Sequence, residues 1–168
     1  MQPIRIRQVK KEIRVLGVVA AGHDGSIRVV GVVFRGAKWL DGVLSATSRG
    51  TDLTHTIVEM INRSPHRNQV RVIMLKASLV PEVARVDPTR IFSETSKPVI
   101  ILGAKGIGGA PPDPNTGYFA WGKGADAVEV SYTGVRERDA RAVLTTSTHV
   151  GSTPEALRVA GLILGALP

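Results

Sequence analysis

The residues of this chain best placed to do chemistry are cations, and the chemistry they offer is capture of an anion. The 168 residues carry a formal net charge of +8, unevenly spread. Arg5, Arg7, Lys10, Lys11 and Arg14 are answered at the start of the chain by Glu12 alone. A basic arm before a folded core is an electrostatic footprint for a polyanion, and nucleic acid, whether DNA or RNA, is the partner that fits. A second basic group, Lys105 and Lys123, lies in a stretch rich in glycine and proline with Tyr118, Phe119 and Trp121. Aromatics on a basic loop either stack on bases or pin the loop to the core. Arg158, three residues after Glu155, either pairs with an acid or holds a phosphate.

Carboxylates are the other candidates. His23 and Asp24 adjoin, and Asp41, Asp52 and Glu59 follow. Asp24-Gly25 reads as a turn, Asp52 as a helix cap and Glu59 as a solvated face residue, so no metal site and no cofactor is expected. Magnesium or manganese enters only if the chain is an active enzyme with a displaced site. Gly103-Ala104-Lys105-Gly106-Ile107-Gly108-Gly109 follows a strand and resembles a phosphate cradle. No Gly-Lys-Ser/Thr follows it, and Ala110-Pro111-Pro112 cannot open a helix in the nucleotide-binding manner, so it reads as a surface loop. His55, His66 and His149 are isolated, and no nucleophile motif surrounds Ser45, Ser48 or Thr145. There is no cysteine, hence no disulfide and no thiolate metal site. No signal peptide or apolar run of membrane length is visible, so a soluble cytoplasmic protein without a membrane partner is expected. The absence of cysteine with abundant Arg, Val and Pro suits a thermophile.

The elements that must position these residues follow from periodicity. Ile13–Ala20 is a nearly continuous apolar run, as in a strand buried on both faces. Ile27–Arg35 and Ala37–Thr47 complete an antiparallel meander, with turns at Asp24-Gly25-Ser26 and Arg35-Gly36. Thr51-Asp52 starts a helix with Leu53, Ile57, Met60 and Ile61 on its apolar face, ended by Ser64-Pro65. Val70–Leu75 is a buried strand. Asp87 caps a helix with Pro88 at its first position, running to Thr95, and Val99–Leu102 is a strand. Residues 103–124 hold too much Gly and Pro for a regular element. Ala127–Tyr132 is a strand and Arg136–Thr146 a helix with Ala140, Val143 and Leu144 inward. The last helix has Thr153 as N-cap, Glu155 in its first turn, and Leu157, Ala160, Leu164 and Leu167 as its stripe. The order predicts an α/β, ribonuclease H-like mixed sheet: a three-strand antiparallel meander plus parallel strands, with helices on both faces. A basic arm, 1–12, precedes a single domain, 13–168, with a loop at 103–125.

Several segments together resemble the endonuclease dU family, archaeal proteins distantly related to endonuclease V. They are Ile13-Arg14-Val15-Leu16-Gly17, Val29-Val30-Gly31-Val32-Val33-Phe34-Arg35-Gly36, Asp41-Gly42-Val43-Leu44, Arg71-Val72-Ile73-Met74-Leu75, Lys97-Pro98-Val99-Ile100 and Pro154-Glu155-Ala156-Leu157-Arg158-Val159-Ala160. The resemblance implies a ribonuclease H-like fold and metal-dependent cleavage of deaminated nucleic acid. It also locates departures. The family's first strand ends in a GIDDG-like turn where this chain has Ala20 and Ala21. Its fourth strand ends in a Met-Leu-Asp-Gly-like motif where Lys76 stands, and a histidine follows Arg-Val-Ala where Gly161 stands. Hard divalent cations need carboxylate oxygens, and an ammonium attracts phosphate as it repels metal. The expectation is therefore a catalytically silent binder of nucleic acid, contacting it through Arg5, Arg7, Lys10, Lys11, Lys76, Lys105, Trp121, Lys123 and Arg158. The alternatives are an active endonuclease with a displaced site, and a protein-interaction subunit of a ribonucleoprotein or repair complex, with a protein partner or a second copy of the chain.

Overall fold

The computed structural model describes residues 2–103 and 116–168. Strands β1 (Arg14–His23), β2 (Ser26–Arg35) and β3 (Trp39–Ser48) form the antiparallel meander. β1 and β2 pair without a break from Arg14↔Arg35 to His23↔Ser26. Their two-residue turn takes positive φ at Asp24 (48°) and Gly25 (76°), the left-handed pair that matches strand twist in a tight hairpin. Helix α1 (Leu53–Asn62) leads to β4 (Val72–Lys76), and helix α2 (Pro88–Thr95) to β5 (Val99–Leu102). β4 lies parallel to β1, and β5 parallel to β4. Then come β6 (Thr116–Trp121), β7 (Val128–Thr133), α3 (Glu137–Ser147) and α4 (Glu155–Ala166). The seven strands lie in the order β3-β2-β1-β4-β5-β7-β6, with β7 antiparallel to both neighbours.

The sheet is covered on both faces, which is why β1 is apolar without alternation. On one face Val15, Val19, Val72 and Met74 meet α3 through Ala140, Val143 and Leu144, and α4 through Ala156, Leu157 and Ala160. On the other, Leu16, Val18, Ala20, Ile73 and Leu75 meet Leu53, Ile57 and Ile61 of α1 and Ile91 of α2. Asp52 caps α1 by accepting from Thr54 N–H at 3.1 Å, and Asp87 caps α2 by accepting from Arg90 N–H at 3.1 Å.

Three expectations need correction. The stretch expected to be irregular contains β6. Its glycine content misleads because Gly117 is where the Tyr132 ring crosses the strand, leaving no room for a Cβ. Phe119 meanwhile buries itself in the core, 7% exposed. Thr153 does not cap α4: Pro154 holds the cap position, and the Thr153 hydroxyl is engaged elsewhere. The apolar stripe of α4 stops at Leu164, because Leu167 lies past the last turn and is 40% exposed. The basic arm is also tied down. Ile4 bridges Val135, its N–H donating to Gly134 O at 2.8 Å, and Ile6 is buried, while Arg5, Arg7, Lys10 and Lys11 face solvent.

Candidate functional site at the ends of the central strands

Because β1 and β4 run parallel side by side, their carboxyl ends come together. The register pairs Val18 with Leu75, which sets Lys76 beside Val19 and two residues short of Ala21 on the same face. That is the face covered by α4. Gly17 explains how close the helix comes: a Cβ there would lie 2.6 Å from the carbonyl carbon of Ala156 and 2.8 Å from the Leu157 nitrogen. Gly161, further along α4, looks toward Leu79 in the short 3-10 turn after β4, with its nearest neighbour 3.6 Å from a notional Cβ. Ala21, Lys76 and Gly161 therefore lie on one side of the sheet. Ala20 points to the other side, among the residues packed against α1.

Lys76 is half-buried, and its Nζ donates to Thr153 Oγ1 at 3.2 Å. Among the described residues no carboxylate forms an ion pair with it. The residue before Thr153 ties in a second candidate: Trp121 Nε1 donates to Ser152 O at 3.1 Å. One short link thus fastens the ends of β4 and β6. Beside it lies a cleft of about 490 Å³ with Trp121, Lys123, Arg141 and Ser152 in its wall. Lys123 is exposed there, and Arg141 spreads over the Phe119 ring at 4.2 Å. Arg158 is paired with Glu155, whose hydrogen bond and charge raise the guanidinium's pKa. Lys105 lies outside the described residues.

The structure does not bring the basic arm to this place. Arg5, Arg7, Lys10 and Lys11 lie before β1 begins, at the amino ends of β1 and β4 and so at the opposite end of the sheet.

The carboxylates are each occupied. Asp24 sits in the exposed hairpin turn, 3.2 Å from His23 Nε2. Asp52 is the α1 cap and faces Arg90 at 3.5 Å, and Glu59 pairs with Arg63 at 2.8 Å. Asp41 is clamped between Arg14 Nε and Arg35 Nε, each at 2.9 Å. Burial pushes its carboxyl up, but the hydrogen bonds and charges of Arg14 and Arg35 outweigh this and hold it below its ordinary 3.8. Its stabilisation is complete above that value and is lost as pH falls through the lower, folded one. Asp41→Asn should thus cost about 2 kcal/mol near pH 7. In paired thermal melts the gap between the two proteins should narrow as pH falls below 3.8.

Sequence reasoning missed the group around Asp41. Its signal was present in the strand ends: if β1 and β2 pair end to end, Arg14 must face Arg35.

Residues 11–106 match the sequence model of endonuclease dU. The UPF0215 protein of Methanothermobacter thermautotrophicus is 32% identical, over 97% of this chain and 91% of that protein. The chain belongs to the endonuclease dU family. Its fold matches that of a protein of unknown function from Archaeoglobus fulgidus, with a TM-score of 0.71 at 22% identity over 91% of this chain and 96% of that one. It also matches endonuclease V from Bacillus subtilis, with a TM-score of 0.60 at 9% identity over 96% and 84% of the two chains. The mixed sheet with helices on both faces is the ribonuclease H-like fold. No helix is long and apolar enough to cross a membrane among the described residues.

In this endonuclease dU family member the side chains of Ala21, Lys76 and Gly161 do not offer a divalent metal what it needs. Alanine and glycine present no oxygen ligand, and Lys76 presents a cation. Among the described residues no three His, Asp or Glu side chains gather anywhere into a metal-ligating group. The first turn of α4, with its unsatisfied N–H groups, follows directly on the Thr153 that holds the Lys76 ammonium.

Proposed function

We propose that this chain binds nucleic acid and does not cleave it. Ala21, Lys76 and Gly161 are read as the family's metal-binding positions with their ligands replaced, and Ala20, packed on the opposite face of the sheet, falls outside that group. The observation that carries this reading is the Lys76 ammonium at the end of β4, hydrogen-bonded to a hydroxyl and without a carboxylate partner among the described residues. A unit positive charge beside a dication costs several kcal/mol at about 4 Å and an effective dielectric of about 20, whereas the same charge holds a phosphate. Trp121, Lys123 and the start of α4 adjoin it and add an aromatic surface, a cation and free N–H groups. Membership of a family described as endonuclease dU, with a fold shared by endonuclease V, supports nucleic acid as the polyanion. Arg158 contributes less, since Glu155 already neutralises it.

The test uses the full chain and fluorescein-labelled single-stranded oligonucleotides, with and without deoxyuridine or inosine. Affinity should fall steeply between about 50 and 200 mM salt, by a log–log slope of about 0.7 per phosphate contacted. Incubation with Mg²⁺ or Mn²⁺ should release no product. Metal-dependent cleavage at the deaminated base would overturn the silent reading and favour an active enzyme with a displaced site. Absence of salt-sensitive binding would overturn the binding reading.

A protein-interaction role is favoured by one separate observation. β3 is an edge strand and exposes Leu40 and Val43, 49% and 50% accessible. Light scattering that gives a dimer mass, or a co-purifying protein without polyanion binding, would select that reading.

A further inference from the structure

One end of three neighbouring strands, the amino ends of β1 and β4 with the carboxyl end of β2, carries a second concentration of charge that the Lys76 region does not use. β2, β1 and β4 are adjacent, and Arg35, Arg14 and Arg71 stand at that end of them, Arg71 N–H donating to Arg14 O at 2.9 Å. With strands about 4.8 Å apart, the three form a row roughly 10 Å long. A cleft of about 480 Å³ opens there between the N-terminal segment and the turn after α1, with Lys10, Arg14, Arg35, Gln69, Arg71 and one carboxylate, Glu12, in its lining. Asp41 grips Arg14 and Arg35 through their Nε atoms only. Their Nη groups make no hydrogen bond within the described residues, so one carboxylate orients two guanidinium forks without occupying their outer ends. Lys97 belongs to the same field: burial, then the charges of Arg71 and Arg67, lower its ammonium's pKa.

An aromatic side chain adjoins the row. Trp39 is 48% exposed at the start of β3, with the Arg35 guanidinium 5.6 Å and the Lys38 ammonium 5.8 Å from its ring centre. An exposed indole flanked by cations, one of which, Arg35, also lines the basic cleft, suits unpaired bases on a phosphodiester backbone. A duplex would hide its bases from the ring, and a free phosphate would need neither the ring nor the length of the row.

We infer that the cleft between the N-terminal segment and the α1–β4 turn is a single-stranded nucleic-acid site, with Arg14, Arg35 and Arg71 on successive phosphates and a base stacked on Trp39. It extends the nucleic-acid reading above but stands five residues back from Lys76 along the same line of strands, about 17 Å away, with Arg71 and Lys76 alternating to opposite faces of the sheet. The Lys76 region is therefore not part of it.

The chain has two tryptophans, so Trp121→Phe protein reports on Trp39 alone. Adding oligothymidylate of about fifteen nucleotides should quench that emission, and inorganic phosphate should not. In anisotropy titrations Trp39→Leu should weaken binding of the same oligonucleotide about tenfold with an unchanged salt slope. Arg71→Gln, which breaks no ion pair among the described residues, should lower the slope by about 0.7. The site is overturned if the oligonucleotide binds but leaves Trp39 emission and both variants' affinities unchanged, in which case the broader reading survives. It is likewise overturned if inorganic phosphate quenches Trp39 or competes at equal concentration. If the unaltered chain shows no salt-sensitive binding at all, the broader reading fails and takes this site with it.

Discussion

Gly17→Ala should destabilise the protein by about 3 kcal/mol, one of the two largest effects expected of a single substitution here. The added methyl would meet backbone, not a flexible side chain: the Ala156 carbonyl carbon at 2.6 Å, its oxygen at 2.7 Å and the Leu157 nitrogen at 2.8 Å. The glycine lies in the middle of a strand paired on both sides, so the sheet cannot yield. The helix must lift, and with it Leu157 and Ala160, both fully buried. For a domain of this size such a loss lowers Tm by roughly 6–12 °C. Calorimetry checks the size of the effect, and circular dichroism checks that the variant still folds. An unchanged Tm would mean that α4 rests on β1 more loosely than these distances allow.

Lys76→Glu should produce the second large effect, on binding rather than stability. Removing the ammonium with Lys76→Met should weaken oligonucleotide affinity roughly tenfold, about 1.4 kcal/mol, and reversing the charge should weaken it roughly a hundredfold. The side chain is half-buried at the carboxyl end of the central strand, and its partner is a neutral hydroxyl, so neither change strands a buried counter-charge. The melting temperature should hardly move. If Lys76→Glu binds nucleic acid as well as the unaltered chain, phosphate does not reach the end of β4. If it instead gains metal-dependent cleavage, the position retains more of the family's catalytic geometry than a silent binder would.

Where a local rule decides, the sequence was readable. Asp52 and Asp87 cap helices where they were expected to, because a carboxylate before an apolar-periodic run has one obvious use. Val99–Leu102 was bounded correctly by Pro98 and Gly103. The unbroken apolar stretch ending at Ala20 announces a strand covered on both faces, though β1 runs on to His23 because the hairpin carries the pairing into polar residues. Long-range contacts decided the rest. Gly117 looks like a strand breaker until Tyr132 is seen lying across it. Thr153 looks like a cap until a lysine far back in the chain claims its hydroxyl. The basic arm and Lys76 seem one surface in sequence, yet β1 holds them at opposite ends. The row of Arg14, Arg35 and Arg71 exists only once three strands are aligned.

The meander and the helix that covers it also impose an order of assembly. β1, β2 and β3 can zip together through closures of a few residues, which cost little chain entropy and form quickly. The surface that receives α4 then exists long before α4 has been synthesised, since that helix follows every strand in sequence. Until it docks, Val15 and Val19 and their neighbours are a sticky face presented by an already ordered ribbon. A nascent chain at that stage depends on speed of completion, or on a holdase, to escape association with its own kind.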